Sequence, residues 1–324
     1  MKRMLRHTLP IMAAMFAMLA SGLVQGQSYP NRPVRIIVAY PAGQGTDVAT
    51  RYVAERMSRA MGQNFFVENR PGAGGNIGTE AAARAPADGY TLTMGTNATH
   101  GVNQFLYDTM TFDAERDFEP IMLIGSFPMV IAANPGYGGN ALADVVALAK
   151  STPKAGDIAL PSTTARIVFE LLKSRTQAPL LGVPYKGSAA ATTEVMGGQL
   201  PLLIDTVIAA RPHIASGKLK ALAVTSAKPT ALLSGARPVA DQGYPGFEVI
   251  AWNALYAPKG TPREIIAQLN AELARILAQP ETQQRLNELG FDVGGGSPAD
   301  LADFGRSERN KWGPLIKSAG IRAE

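Results

Sequence analysis

The chain has 324 residues, no cysteine and only three histidines, His7, His100 and His213. The lack of thiols excludes a cysteine nucleophile, a thiolate zinc site and an iron–sulfur cluster. So few imidazoles exclude a multi-histidine metal centre, and a Ser-His-Asp triad in a mature chain without His7 would have to use His100 or His213. Several motifs are absent too. There is no G-x-x-x-x-G-K-[ST] phosphate loop, no G-x-S-x-G elbow, no H-E-x-x-H and no EF-hand loop. "GAGGNIG" (72–78) imitates a dinucleotide fingerprint, but Ile77 stands where the third glycine belongs. These absences predict neither cofactor nor metal. No block of one charge occurs either: the formal net charge of +5 arises from 31 basic and 26 acidic residues that are intermixed. Nothing therefore suggests nucleic acid as a partner.

Long apolar runs are missing except at the start. Lys2, Arg3 and Arg6 precede "IMAAMFAMLA" and the small-residue stretch "SGLVQGQ". That order predicts a secretory signal peptide, residues 1–26, cleaved near Gly26. The apolar run is only about half of the roughly 20 residues a membrane span requires. Loss of the leader removes three cations and no acid, so the mature chain of 298 residues is near +2. At that length an exported protein builds a sufficient core without disulfides.

What is present is an alternation of strand-like and helix-like segments. "VRIIVAY" (34–40) is a buried strand followed by a helix over 46–61; "NFFVEN" (64–69), a helix over 75–85 and "TLTMG" (91–95) continue the series. A second series runs from "FPMVIAANP" (127–135) through "LKALAVTS" (219–226), and "EVIAWNALYAPKG" (248–260) is again strand-like. The last sixty residues read as helical, with Thr261-Pro262-Arg263-Glu264 as a capping box. This pattern predicts an α/β fold with mainly parallel sheets flanked by helices, arranged as two lobes around a cleft.

At the strand ends lie small, polar, glycine-flanked loops, where open α/β sheets bind ligands. They are "PAGQGTD" (41–47), "NRPGAGGN" (69–76), "GTNATHG" (95–101), "PSTTAR" (161–166), "PYKGSAA" (184–190) and "DT" (205–206). Backbone amides and hydroxyls of this kind suit carboxylate oxygens. Each loop also has a plainer reading. Thr46 reads as the N-cap of its helix with Asp47 in the first turn, which leaves other amides of the turn free. Asp47 repels an anion unless a water intervenes. Thr96, Asn97 and Thr99 cap a helix or face the cleft, and His100 reads as a core or capping histidine. Lys186 reads as a solvated lysine above Tyr185, and Asp205 as a cap for the following helix. Ser162, Thr163 and Thr164 suit an N-cap and an oxyanion equally. Arg166, in the first turn of that helix, opposes the helix dipole and calls for an anionic partner, an acid or the ligand.

Taken together, "YPNRPVRIIVAYPAGQGTD", "VENRPGAGGNIGTEAAARAPADGYTL", "VPYKGSAAATTEVMGGQL", "KLKALAVTS" and "PGFEVIAWNALYAPKGTPREIIAQLNAELARIL" resemble the periplasmic solute-binding proteins of tripartite tricarboxylate transporters, the Bug (Bordetella uptake gene) family. The resemblance spans essentially the whole mature chain. It implies a two-lobe periplasmic binding protein of the Venus-flytrap, type II-like kind. Lobe one would comprise 27–126 plus 254–324 and lobe two 127–253. From lobe one it implies cleft residues Ala42, Gly43, Gln44, Gly45, Thr46 and Asp47, with Thr96, Asn97 and Thr99. From lobe two it implies Ser162, Thr163, Thr164 and Arg166, with Tyr185, Lys186 and Asp205. It also implies a periplasmic, monomeric, non-catalytic protein that delivers a small carboxylate to an inner-membrane permease. Where the family usually has "GSAGNGSTSHL", this chain has "ALPSTTARI", shorter, without glycine and with Arg166 in place of histidine. An arginine there would fork a distal carboxylate, so a dicarboxylate is expected, aliphatic or aromatic in the manner of terephthalate. The rival expectation is an exported hydrolase using Ser162 or Thr163 with His100. A receptor-presenting variant would differ only in its partner.

Overall fold

Apart from Arg35, β1 (Val34–Val38) is built from branched apolar side chains that fit a pleated, buried surface. It lies between β2 (Phe65–Asn69) and β3 (Thr91–Thr96), parallel to both. The structure, a computed structural model, describes residues 29–230, 233–318 and 320–322. The expected leader lies outside the described residues, and all the strands and helices belong to the compact unit Arg32–Glu324. Helices α1 (Gly45–Met61) and α2 (Asn76–Ala83) provide the crossovers of the first series. A wide helical turn over Ala98–Val102 and the short α3 (Asn103–Leu106) come after β3.

The next strand is much longer than "FPMVIAANP" suggests. β4 runs sixteen residues, Phe118–Ala133. After it come α4 (Leu142–Ser151), β5 (Asp157–Leu160), α5 (Thr163–Thr176), β6 (Leu181–Pro184), α6 (Ser188–Met196), β7 (Leu202–Thr206), α7 (Val207–Ala215) and β8 (Lys220–Val224). β5 is parallel to β6 on one side and β7 on the other, the second parallel set. β9 (Ile250–Pro258) precedes α8 (Arg263–Leu277), α9 (Pro280–Leu289), β10 (Asp292–Gly295) and α10 (Pro298–Ser318).

The two parallel sets are joined by antiparallel strands, so the sheet is mixed. β9 pairs with β3 and with the first part of β4, Phe118–Pro128. The rest of β4, Met129–Ala133, pairs with β7 and β8. One continuous strand thus pairs with the second set directly and reaches the first through β9, and the register shift between Leu123 and Gly125 bends it near its middle. An antiparallel cross-strand of this kind reads in sequence like any other apolar run, which is why its direction is not legible there.

The C-terminal helix holds this crossing in place. Glu308 of α10 accepts from both tryptophan indoles, Trp252 Nε1 and Trp312 Nε1, each at 3.1 Å. Trp252, the third residue of β9, is fully buried, and its ring meets Phe304 edge-on at 5.3 Å. Beside it the His100 imidazole stacks on Tyr256 at 4.1 Å. Gly95 is required under that stack: a Cβ there would sit 2.6 Å from both His100 Nδ1 and Tyr256 Cε2. The chain reversal at 260–263 corrects the sequence reading. Pro262, not Thr261, is the N-cap of α8, and the Thr261 hydroxyl donates to the Pro258 carbonyl at 2.8 Å. The hydroxyl stands one residue too early to close a capping box. Ser297 and Asp300 form the reciprocal pair instead, at the start of α10.

Candidate functional site

Four helices begin around one narrow cavity of about 30 Å³. α1 contributes Gln44, Gly45 and Thr46; α5 contributes Ser162 and Thr164; α6 contributes Ser188; α7 contributes Thr206, preceded by Asp205. Thr96 and Asn97 close the β3 side together with Tyr40. Phe127 of β4 and Ala251 and Asn253 of β9 form the floor where those strands cross, Phe127 opposite Ala251 and Asn253 between Thr96 and Gly125.

The helix ends differ in how far their own side chains satisfy them. Ser162 caps α5 by accepting from Ala165 N at 3.2 Å, and Thr206 caps α7 by accepting from Ala209 N at 3.1 Å. No side chain caps α1 or α6. The expectation that Thr46 caps α1 is therefore corrected: Gln44 is the N-cap residue, and the Thr46 hydroxyl donates to Asn253 Oδ1 at 3.2 Å. Asp47 secures the turn from behind. It accepts from the Gly43 amide at 2.9 Å, Asn69 Nδ2 at 2.8 Å and Arg51 Nε at 3.0 Å. Burial alone would raise its carboxyl, but these donors outweigh burial and hold it below the usual range.

Contacts also run across the cavity. Thr164 Oγ1 donates to Asn97 Oδ1 at 3.2 Å. A Cβ on Gly45 would lie 3.2 Å from both Ile208 Cδ1 and Thr206 Oγ1, so α1 and α7 nearly touch. A volume of about 30 Å³ accommodates on the order of two ordered waters. Admission of anything larger requires these faces to separate.

Among the described residues, the cavity wall carries no basic side chain, and its one carboxyl is Asp205. Asp205 Oδ1 accepts from Ser188 Oγ at 3.0 Å and Thr206 N at 2.7 Å, while Oδ2 has no partner. Burial pushes this carboxyl up to about 7 against the opposing effect of those two hydrogen bonds. Asn253 Nδ2 is likewise buried and unpartnered on the same wall. Tyr40, held by Thr96 Oγ1 at 2.8 Å, is driven by burial up to about 12 and stays a neutral phenol.

Eight of the sixteen candidate residues line the cavity: Gln44, Gly45, Thr46, Thr96, Asn97, Ser162, Thr164 and Asp205. Ala42 and Gly43 form the exposed tip of the turn, and Asp47 points behind it. Thr99 turns inward to His100 Nδ1 at 2.9 Å and the Thr96 amide at 3.1 Å. On α5 the helical period of about 100° per residue decides the matter. Thr164 faces the cavity, Thr163 lies a step around beside Gly74, and Arg166 is turned roughly 200° away. Arg166 lies off the wall, 3.9 Å from Glu170. Tyr185 packs against the core beneath β7, and Lys186 is exposed beside it. For the rival hydrolase, Ser162 Oγ accepts from Ala165 N, Thr163 lies beside Gly74 and His100 Nδ1 bonds Thr99, so neither hydroxyl is paired with His100 here.

Six lining residues were not singled out from sequence: Tyr40, Phe127, Ser188, Thr206, Ala251 and Asn253. Ser188 and Thr206 belong to loops that were. Asn253 had a signal of its own, a polar residue in the middle of the apolar run "AWNALYA".

An α/β fold with a polar cavity at converging helix N-termini defines a binding-protein architecture. The chain belongs to the tripartite tricarboxylate transporter family of receptors, whose pattern it matches over residues 49–321. It is 32% identical over 304 residues to Protein BugT of Bordetella pertussis, covering 92% of this chain and 93% of that protein. A solved structure of R. palustris Rpa4515 with adipate superposes with a TM-score of 0.87 at 35% identity, covering 91% of this chain and 99% of that one. MatC (Rpa3494) from Rhodopseudomonas palustris with bound malate superposes with a TM-score of 0.82 at 28% identity, covering 89% of this chain and all of that one.

Proposed function

We propose that the protein is an exported, periplasmic solute-binding protein that captures a small dicarboxylate and delivers it to an inner-membrane permease. The observation that carries this reading is the convergence of four helix N-termini on a buried cavity whose described wall has no basic side chain. Each terminus directs amide hydrogens and a partial positive charge at the same space, which suits an anion. The uncapped ends of α1 and α6 provide the free amides, and Asn253 Nδ2 provides a further donor.

In this reading, lobe one comprises 27–126 plus 254–324 and lobe two 127–253, with β4 and β9 as the connecting strands. Hinge motion there would part Thr164 from Asn97 and Gly45 from Ile208 and open the cavity. A distal carboxylate then meets hydroxyls and amides rather than Arg166. The adipate and malate in the similar structures are both aliphatic dicarboxylates and favour that class over an aromatic acid. No observation favours a hydrolytic reading. The test is a thermal-shift screen of mono-, di- and tricarboxylates on the mature chain. A ligand at a hundred times its Kd adds about 2.7 kcal/mol of stability, a clear rise in melting temperature. A flat response to every acid defeats the proposal.

A further inference from the structure

An anion-binding cavity that contains an acid and no base poses a problem of charge. Asp205 is 1% exposed, at the end of β7, with one carboxylate oxygen fully engaged and the other unpartnered on the cavity wall. Among the described residues, the elements packed around it offer no counter-ion. Val130 of β4 faces it in register, and Ser188 of α6 and Thr206 ahead of α7 supply only neutral donors. Tyr40 is the other titratable group on the wall and is a neutral phenol bound to Thr96. The charged or titratable side chains of the neighbouring elements are engaged elsewhere or exposed. Lys186 and His213 are exposed or half-exposed, Glu194 acts on Tyr185, Arg211 donates to the Glu288 carbonyl, and Arg166 lies beside Glu170. A ligand carboxylate set directly against Asp205 Oδ2 with no cation between them cannot stay ionised together with it, and one of the two takes up a proton.

We infer that Asp205 couples ligand capture to proton uptake: an organic carboxylate enters with one proton, shared in a hydrogen bond between Asp205 Oδ2 and a ligand oxygen. This rests on the carboxylate-binding reading and gives it a specificity rule. The proton comes from solvent and returns there on release; no covalent bond changes. The carboxyl group, neutral when the ligand is bound, replaces the arginine that an acid-binding site ordinarily uses. A ligand ammonium, by contrast, would pair with ionised Asp205 and require no added proton. Burial, which already holds the free carboxyl near neutrality, makes the uptake small at acidic pH and close to one proton at alkaline pH.

The experiment is calorimetry on the mature protein with adipate and with malate, in buffers of differing ionisation enthalpy, between about pH 6 and pH 9. The expected result is uptake approaching one proton per ligand at the alkaline end. Affinity should fall about tenfold per pH unit above about pH 7. Asp205→Asn keeps an acceptor for Ser188 and Thr206 and offers an amide donor in place of the protonated oxygen. It should bind with an affinity independent of pH and without proton uptake. Binding by the wild-type protein with no proton uptake and a flat pH profile overturns the inference while leaving the carboxylate reading intact. Loss of binding in a folded Asp205→Asn protein also overturns it, because an ionised Asp205 would then be what the ligand needs. If folded wild-type protein binds neither these acids nor any other carboxylate at any pH, the functional reading itself fails, and the inference with it.

Discussion

Thr164 and Asn97, 67 residues apart, meet across the cavity in a hydrogen bond of 3.2 Å from hydroxyl to amide oxygen. The bond ties the start of α5 to the end of β3, one face of the cavity to the other. Thr164→Val keeps the shape and removes the donor. A buried hydrogen bond contributes about 1 kcal/mol, so carboxylate affinity should fall about fivefold with little change in helicity. Titration calorimetry checks this; an unchanged affinity would mean that the contact plays no part in closure.

Gly45 sits where α1 and α7 come closest, with Ile208 Cδ1 and Thr206 Oγ1 each 3.2 Å from where a Cβ would be. Its backbone is ordinary, so the restriction is one of space between two faces. Gly45→Val should hold those faces apart while leaving each of them folded. Small-angle scattering should show a more extended protein, and carboxylate affinity should drop by at least about tenfold.

Asn253 is the polar residue of the cavity floor, bonded through Oδ1 to Thr46 and with its Nδ2 unpartnered. Asn253→Asp replaces a donor with a second acid among the same helix ends. Carboxylate affinity should fall by more than about a hundredfold, the desolvated like-charge cost amounting to several kcal/mol. A gain in affinity for amino compounds without loss for carboxylates would reverse the assigned polarity of the cavity.

Two buried groups give the protein opposed pH dependences. Burial, aided by the Arg309 charge, lowers the His100 imidazole to about 3 from 6.5, so the folded chain binds fewer protons than the unfolded one between those values. Stability from this group is complete above 6.5 and lost as pH falls, by about 2 kcal/mol at pH 5. Asp205 is raised to about 7 from 3.8, so the folded chain binds more protons there, and stability falls as pH rises. Across the shared window the two slopes oppose each other. Urea midpoints between about pH 4 and pH 6.5 should be nearly level for the wild type. They should decline toward acid in Asp205→Asn, by about 1.4 kcal/mol per pH unit. Equal profiles for the two proteins would contradict this.

The alternating elements, the first parallel set and the cavity loops were legible because hydrophobic period and loop composition are local properties. Asn97, Ser162 and Thr164 stand out that way, and Gln44 through the family resemblance. What was not legible depends on rotation and on distance in sequence. Thr164 and Arg166 look equivalent in "STTAR", yet two helical steps put them on opposite sides of α5. Thr261 has the letters of a cap, but the Pro258 carbonyl three residues back takes its hydroxyl. Asn253 becomes a cavity residue only because β9 lies between β3 and β4, a pairing no local pattern announces.

This cavity, walled by helix N-termini and without a base among its described residues, is proposed to hold an organic dicarboxylate. Titration calorimetry of the purified mature protein with adipate and malate tests it most directly. Saturable binding of one acid per chain is expected, tighter than for the matching monocarboxylate and weakened by Asn253→Asp. Folded protein that gives no heat with these or any other carboxylate, or that binds them unchanged when Asn253 is aspartate, would contradict it.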